Sequence, residues 1–197
     1  MMKISREKYL ESAKDYLKNK DPQKALIELK KIDTTFLGPG EIAEYYLLFS
    51  EVNLWMGDSN IKEPINYIIN YFRTSDNHFL YAKSKYLYGW YLITIGDYIS
   101  AKEALLESYL TFKRYDYKPE MARVLNRLAF VHFQTASYDD SISNLDECAK
   151  INAELGNLSQ VSLISLNRAR VLIMAGLIIR AIEQLQNTEA ESKLLKE

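Results

Sequence analysis

Residues 125–156 read LNRLAFVHFQTASYDDSISNLDECAKINAELG, and this stretch predicts two helices joined by a tight turn. Its pattern returns 40 residues earlier and 40 residues later along the chain. Four columns keep this spacing: Gly89, Ala129 and Ala169; Gly96, Ala136 and Gly176; Ala101, Ser141 and Ala181; Leu105, Leu145 and Leu185. Repeats of roughly 20–50 residues are typical of solenoids and propellers. Apolar residues within each copy recur about every 3.6 positions, which indicates helices, so the predicted fold class is all-α.

Each repeat is predicted to form a helical hairpin that divides at a small residue. Gly96 is expected to end a first helix, because glycine adopts the left-handed conformation of a helix C-cap at little cost. Asp21 followed by Pro22 predicts the N-cap and first position of a second helix. The LGPG segment at 37–40 predicts a linker, and Pro64 predicts the start of the fourth helix.

The chain is therefore expected to hold five hairpins in a single domain. Their approximate bounds are 3–36, 40–73, 79–115, 119–156 and 158–197, and the second is the most degenerate copy. The helical sequence ESKLLKE at 191–197 carries no stop signal. We therefore expect the domain to be part of a larger protein.

Composition narrows the class of protein. The 197 residues are 48% hydrophobic and 26% charged, as is ordinary for a folded domain, and the net charge of −1 gives no basic field for nucleic acid. No run approaches the roughly 18 apolar residues of a membrane helix, and the charged N-terminus does not resemble a signal peptide. One cysteine, Cys148, suits a reducing compartment. We expect a cytoplasmic protein with no direct contact to nucleic acid or membrane.

These repeats resemble the tetratricopeptide repeat (TPR) family. Gly89 matches the small residue midway along that family's first helix, Gly96-Asp97-Tyr98 matches its turn, and Ala101 and Leu105 match its second helix. With a period of 40 residues, these repeats resemble the longer TPR subclass. That subclass occurs in kinesin light chains, in peptide-sensing regulators of Gram-positive bacteria and in bacterial transcription activators. The resemblance implies a right-handed α-α superhelix, a TPR-like solenoid of about five helical hairpins.

Two residues depart from the family's pattern. Ala136 stands where the turn glycine is usual, and Ile178 stands where the turn tyrosine is usual. They leave the repeat assignment intact. The motif is specific for a fold and weak for a function, since one fold hosts many functions.

The resemblance also implies that the first helices line a concave, partner-binding groove. Transferring the family's groove positions to this chain gives nine candidate site residues: Lys83, Tyr86, Trp90, Arg123, Asn126, Phe130, Phe133, Gln134 and Arg170. The same transfer places Glu51 and Trp55 on the groove side of the second unit. Aromatic residues flanked by polar groups are typical of binding hot spots. Alternatively, the aromatic residues simply pack against neighbouring helices.

Asn126 is the sharpest of these candidates. Its amide can pair with both the N–H and the C=O of an extended peptide. The alternative is a hydrogen bond to solvent or to a neighbouring helix. Its neighbour Arg127 is expected to face the adjacent unit.

The sequence predicts no catalytic residue, no metal site and no cofactor. His132 shares a column with Leu92 and Leu172, which predicts a core histidine rather than a base. Cys148 falls in a column of small residues and is expected to be a packed thiol. No second histidine lies at metal-ligand spacing, and no glycine-rich phosphate loop follows a strand.

Four functions are compatible with these observations. The first is a non-catalytic scaffold that binds a protein or peptide, as the regulatory or sensing module of a larger bacterial signalling or transcription regulator. The second is a self-association module that forms a homo-oligomer, for which Leu194 and Leu195 in the last helix would be suited. The third is a sensor of a small ligand or peptide signal, and the fourth is a helical-repeat enzyme, which the missing chemistry disfavours.

Overall fold

The computed structural model describes the backbone of residues 2–194 and the side chains of residues 6–187. Within these residues the chain forms ten α-helices and no strand. The helices are α1 (Met2–Lys18), α2 (Pro22–Leu29), α3 (Pro39–Trp55), α4 (Lys62–Arg73), α5 (His78–Thr94), α6 (Tyr98–Arg114), α7 (Lys118–Gln134), α8 (Tyr138–Glu154), α9 (Leu158–Met174) and α10 (Ile178–Leu194). The predicted all-α class is confirmed. The described helices include none that is long and apolar enough to cross a membrane.

The chain divides into two compact units, Met1–Ala104 and Leu105–Glu197, with the boundary inside α6. We refer to them as unit 1 and unit 2. The prediction of one domain within a larger protein stays a prediction.

In unit 1, α1 packs against α2 and α3, and α3 and α4 both pack against α5. The core between α1, α2 and α3 is made of the apolar stripes of these helices, with Ala13, Ala25 and Val52 fully buried. Small residues at such positions let helix axes approach closely, and enlarging them in a filled core costs about 1–3 kcal/mol.

The predicted start of α2 is confirmed. Pro22 is its first residue, and the Asp21 carboxylate accepts a hydrogen bond of 3.1 Å from the backbone N–H of Lys24. An N-cap aspartate of this kind satisfies one of the N–H groups that the first turn of a helix leaves unpaired.

Two predicted boundaries in unit 1 are wrong by a few residues. The segment at 37–40 was expected to be a linker, but α3 begins inside it, at Pro39. The Glu41 carboxylate accepts a hydrogen bond of 2.9 Å from the Gly38 N–H, which fixes this early start. Similarly, α4 begins at Lys62 rather than at Pro64. Proline is tolerated there because N–H groups in the first helical turn have no partner within the helix.

In unit 2, α7 packs against α8, α8 against α9, and α9 against α10. Leu125, Leu128 and Leu145 fill the core. Ser141 in α8 is also fully buried, and its hydroxyl donates a hydrogen bond of 2.8 Å to the Ala129 carbonyl in α7. Because both residues are small, α7 and α8 lie close enough for this side chain to reach the backbone of the facing helix.

The turns between helices depend on residues with positive φ. Gly96 and Gly176 have φ of 81° and 78°, as the sequence predicts for turn glycines. Ala136 keeps the same conformation, with φ of 57°, although it carries a Cβ. For an L-residue this conformation brings Cβ close to the following carbonyl oxygen, at a cost of roughly 1–2 kcal/mol. The hairpin at Ala136 therefore retains the family's turn geometry against a local strain.

Candidate functional site

The three candidate residues of unit 1 lie on α5, and the groove-side residues Glu51 and Trp55 lie on α3. Lys83 Nζ in α5 lies 2.8 Å from Glu51 Oε2 in α3. The Glu51 side chain is only 9% exposed, and that of Lys83 is 24% exposed. A charge so deeply buried depends on its partner, since an unpaired buried carboxylate is strongly destabilising. This ion pair joins the first helices of two successive hairpins.

Two of the three unit 1 candidates are buried aromatic residues. Trp90 and Tyr86 are 6% and 8% exposed, and their ring centroids are 6.1 Å apart. Trp55 packs edge-on against Trp90 at 5.6 Å and is 50% exposed. Within this aromatic group, Trp55 therefore offers the accessible surface, and Trp90 and Tyr86 mainly support it.

Most of the candidate residues of unit 2 converge on a cleft of about 130 Å³ between α7, α8 and α9. Four of the nine predicted site residues line this cleft: Asn126, Phe130, Phe133 and Arg170. The other lining residues are Arg127, Ala129, Ser141, Leu145, Asn167 and Val171. We call this feature the cleft.

One helix face supplies a wall of the cleft. Asn126, Phe130 and Phe133 follow one another at spacings of four and three residues in α7, so their side chains share a face. Phe130 is 37% exposed and Phe133 is half-buried. The Arg170 guanidinium of α9 lies over the Phe133 ring, 5.0 Å from its centroid, in a cation-π contact. This contact orients the guanidinium at the exposed rim.

The floor of the cleft is apolar. Ala129, Leu145 and Val171 are all buried, and the Ser141 hydroxyl is already bonded to the Ala129 carbonyl. A group that enters the cleft thus meets hydrocarbon below and polar side chains around it.

The two charged side chains that line the cleft, those of Arg127 and Arg170, are both cationic. Amides and guanidinium groups line it, and none of the lining residues is acidic. Arg168, two residues before Arg170, donates to Asp146 at 2.6 Å and to Gln184 at 2.7 Å. Arg170 has no such carboxylate among the described residues and instead contacts Phe133. The lining residues themselves thus carry two positive formal charges and no negative one.

Two predicted residues of unit 2 lie outside the cleft. Arg123 and Gln134 are exposed near the two ends of α7 and do not line it. In contrast, Asn167 was missed, although it stands 40 residues after Arg127 in the repeat. Arg127 and Asn167 thus share one repeat column, and both line the cleft. That repeat spacing was the available signal.

A wider cavity of about 440 Å³ lies between α1 and α3 in unit 1. Its lining is charged, and much of that charge is already paired. Arg6 forms an ion pair with Glu41, and Lys14 forms one with Glu11 at 2.6 Å. This cavity offers neither an apolar floor nor an aromatic wall.

The reactive side chains that the sequence singled out are packed in the core. Cys148 is 1% exposed, and burial raises the pKa of its thiol to about 11. Its Sγ donates to the Ala122 carbonyl at 3.2 Å. His132 is buried, with Nδ1 3.0 Å from the Asn144 amide nitrogen. Within the part of the chain that the structure describes, no group of three or more His, Cys, Asp or Glu residues could hold a metal ion.

The helices and turns define a TPR-like helical repeat protein, and solved structures agree. Aspartyl phosphate phosphatase F from Bacillus subtilis superposes on 100% of this chain with a TM-score of 0.80 and 14% identity. A putative kinesin light chain from Podospora anserina with nearly identical TPR-like repeats superposes on 98% of it, with a TM-score of 0.75 and 16% identity. In Pyrococcus horikoshii, a signal transduction ATPase with a TPR sensor gives a TM-score of 0.69 over 88% of the chain, at 15% identity. The resemblance to TPR proteins is thereby confirmed.

The similar proteins differ in length. The chain spans 52% of the phosphatase F chain, 98% of the kinesin light chain repeat protein and 28% of the signal transduction ATPase. Neither a scan against models of protein families nor a search of curated proteins gave a match. At these identities the likeness concerns the fold alone.

Proposed function

We propose that this chain is a non-catalytic scaffold that binds a protein or peptide partner, and that the cleft of unit 2 is a contact site. The convergence of Asn126, Phe130, Phe133 and Arg170 on one apolar-floored cleft carries the proposal. Their exposure matters as much as their proximity. Asn126 and Arg170 are exposed and Phe130 is 37% exposed, so a partner reaches them without unfolding any helix.

The chemistry of the cleft suits a polypeptide. An asparagine amide both donates and accepts, as a peptide backbone does, and the cleft holds two such amides, those of Asn126 and Asn167. The phenylalanine rings add apolar area with few rotamers to order on binding. A partner thereby gains directional and hydrophobic contacts at one place.

The proposed biological setting is that of a regulatory or sensing module in a larger bacterial signalling or transcription regulator, in the cytoplasm. The similar repeats of the Pyrococcus horikoshii protein are described as a sensor attached to an ATPase. A solenoid with a binding cleft would serve the same kind of role here. Identification of the domains encoded together with this chain tests the setting.

Self-association is a second candidate function. Ile178, Ile179 and Ile182 in α10 are 49%, 75% and 51% exposed, so the last hairpin presents an apolar surface. Leu194 and Leu195, which the sequence suggested for this role, lie outside the residues whose side chains are described. Light scattering over a range of concentrations tests this candidate, and a monomer at every concentration would refute it.

Peptide selection tests the scaffold proposal. Random peptides displayed on phage are selected against the full chain, and the affinity of each selected peptide is then measured against variants. Phe130→Ala and Asn126→Ala should each weaken binding by about fivefold or more, as expected for hot-spot residues. Leu110→Ala is the matched control, because Leu110 is 62% exposed in unit 2 and does not line the cleft. Selected peptides that bind both cleft variants as tightly as the wild type would refute the proposal.

A further inference from the structure

We infer that two copies of this chain associate through one apolar face of α10, about a two-fold axis near Ile182. The face consists of Ile178, Ile182 and Leu185, which follow one another at spacings of four and three residues and so lie on one side of the helix. We call these three residues the α10 stripe. The inference rests on the self-association candidate and adds to it the face and the symmetry of the contact.

The repeat shows that the α10 stripe belongs to a face that other copies of the repeat bury. Leu105, Leu145 and Leu185 stand in one repeat column, and they are 0%, 2% and 39% exposed. In unit 2, α9 packs against α8, and Leu145 of α8 lines the cleft together with Val171 of α9. The face of α10 that carries Leu185 is therefore suited to packing against another helix.

The exposed surface of the α10 stripe is aliphatic. Ile178 and Ile182 are 49% and 51% exposed. The charged residues of the first two turns, Arg180 and Glu183, are each two residues from a member of the stripe, so they project from other faces of α10. A helix that covers the stripe thus buries hydrocarbon and leaves these charges in water. An exposed apolar face of this kind is typical of a protein interface.

The first helix of a second copy is poorly suited to cover the stripe. Helices α1 and α9 both have 17 residues, and each is followed two residues later by a turn residue with positive φ, Lys20 or Gly176. In this alignment, Asp15 of α1 stands where the buried Val171 stands in α9. Asp15 and Glu11, one turn before it, are exposed carboxylates. Packing them against isoleucine would be costly, which disfavours a head-to-tail chain of copies.

A two-fold contact covers the stripes of both copies at once. In such an isologous contact each copy presents the same face, so the assembly closes at two copies. A contact of the stripe with a different face would leave one stripe exposed in every open assembly. Ile182 lies between Ile178 and Leu185 along the helix. With antiparallel α10 helices, Ile182 of each copy therefore lies near the axis, and Ile178 lies next to Leu185 of the other copy.

The first test measures the mass of the full chain in solution. Sedimentation equilibrium over a range of concentrations should show a single step from 22.9 kDa to twice that mass. Ile182→Asp should raise the dissociation constant of the dimer at least about a hundredfold, because a two-fold interface contains the substitution twice. Leu163→Asp is the matched control. Leu163 is also 51% exposed but lies in α9, so this variant should dimerise like the wild type.

The second test examines the symmetry of the contact by cross-linking. Cys148→Ser first removes the native thiol, and serine suits this position because Ser108 in the same repeat column is fully buried. In this background, Ile182→Cys should form a disulfide-linked dimer when diamide is added, since a residue near a two-fold axis meets its own copy. Arg180→Cys is the control, because Arg180 projects from the opposite side of α10. It should remain largely unlinked.

The outcomes separate this inference from the proposed functions. A dimer that Ile182→Asp leaves intact, assemblies that grow beyond two copies, or equal cross-linking of Ile182→Cys and Arg180→Cys would overturn the inference while self-association stands. A monomer at every concentration would overturn both. None of the residues of the α10 stripe lines the cleft. Either result therefore leaves the scaffold proposal to be decided by Phe130→Ala and Asn126→Ala.

Discussion

Replacing Ala136 with glycine should stabilise unit 2. Ala136 has φ of 57°, and its exposed position means that the strain arises between its Cβ and its own backbone. Relief of that strain is worth about 1–2 kcal/mol. Glycine also lowers the free energy of unfolding by about 0.5–1 kcal/mol, because it has more conformational freedom than alanine in the unfolded chain. With the middle of each range, the expected net stabilisation is about 0.75 kcal/mol.

The single cysteine provides the assay for this prediction. Cys148 lies in the same unit, is 1% exposed, and has a thiol pKa raised by burial to about 11. A thiol reagent at pH 8 therefore modifies it mainly when the unit opens, since an unfolded cysteine has a pKa near 8.5. Where reclosing is faster than modification, the rate follows the free energy of opening. Ala136→Gly should slow the reaction roughly two- to fivefold.

A variant that should destabilise the equivalent turn serves as the control. Gly176 occupies the same turn one repeat later, with φ of 78° and open space where a Cβ would stand. Gly176→Ala should therefore speed the reaction by a similar factor. Equal or faster modification of Ala136→Gly than of the wild type would refute the assignment of strain to this turn.

Two other polar contacts give further predictions. Lys83→Met should cost roughly 2–4 kcal/mol in urea unfolding followed by tryptophan emission, because it removes the ion pair between Lys83 and the buried Glu51 carboxylate. Adding Glu51→Gln should recover part of the loss, and a double variant no better than Lys83→Met would contradict this. Tyr109→Phe should cost about 1–2 kcal/mol at pH 7, because it removes the 2.6 Å hydrogen bond to Glu147. Burial, together with this hydrogen bond, raises the pKa of Tyr109, so its contribution is complete below the unfolded pKa of about 10 and declines at higher pH. The wild type and Tyr109→Phe should therefore converge in stability as the pH rises above about 10, and a constant difference would contradict the assignment.

The repeat spacing predicted the architecture because the residues of a column mostly play the same steric role in successive hairpins. The small residues at Ala129 and Ser141 lie where α7 and α8 approach, and Leu145 fills the core as its column implies. The turn at Ala136 was predictable even though alanine replaces the glycine that is usual at this position. The neighbouring helices determine the conformation, so the alanine follows it at a local cost.

The candidate site was only partly predictable, since the repeat places a residue on a helix face without specifying its exposure. Tyr86 and Trp90 occupy groove columns, yet the bulk of Trp55 and the packing around them leave both rings buried. Asn167 was missed because its repeat column, which it shares with Arg127, was not among the groove columns transferred from the family. The transferred positions identified Arg170 of α9 but not Asn167 of the same helix.

Both tryptophans of this chain, Trp55 and Trp90, belong to unit 1, whereas the cleft belongs to unit 2. Intrinsic tryptophan fluorescence therefore reports on unit 1, whereas a ligand of the cleft binds in unit 2. A change in tryptophan emission on adding a cleft-binding peptide would show that occupancy in one unit is transmitted to the other. The chain thus carries a built-in, label-free test for communication along its repeats.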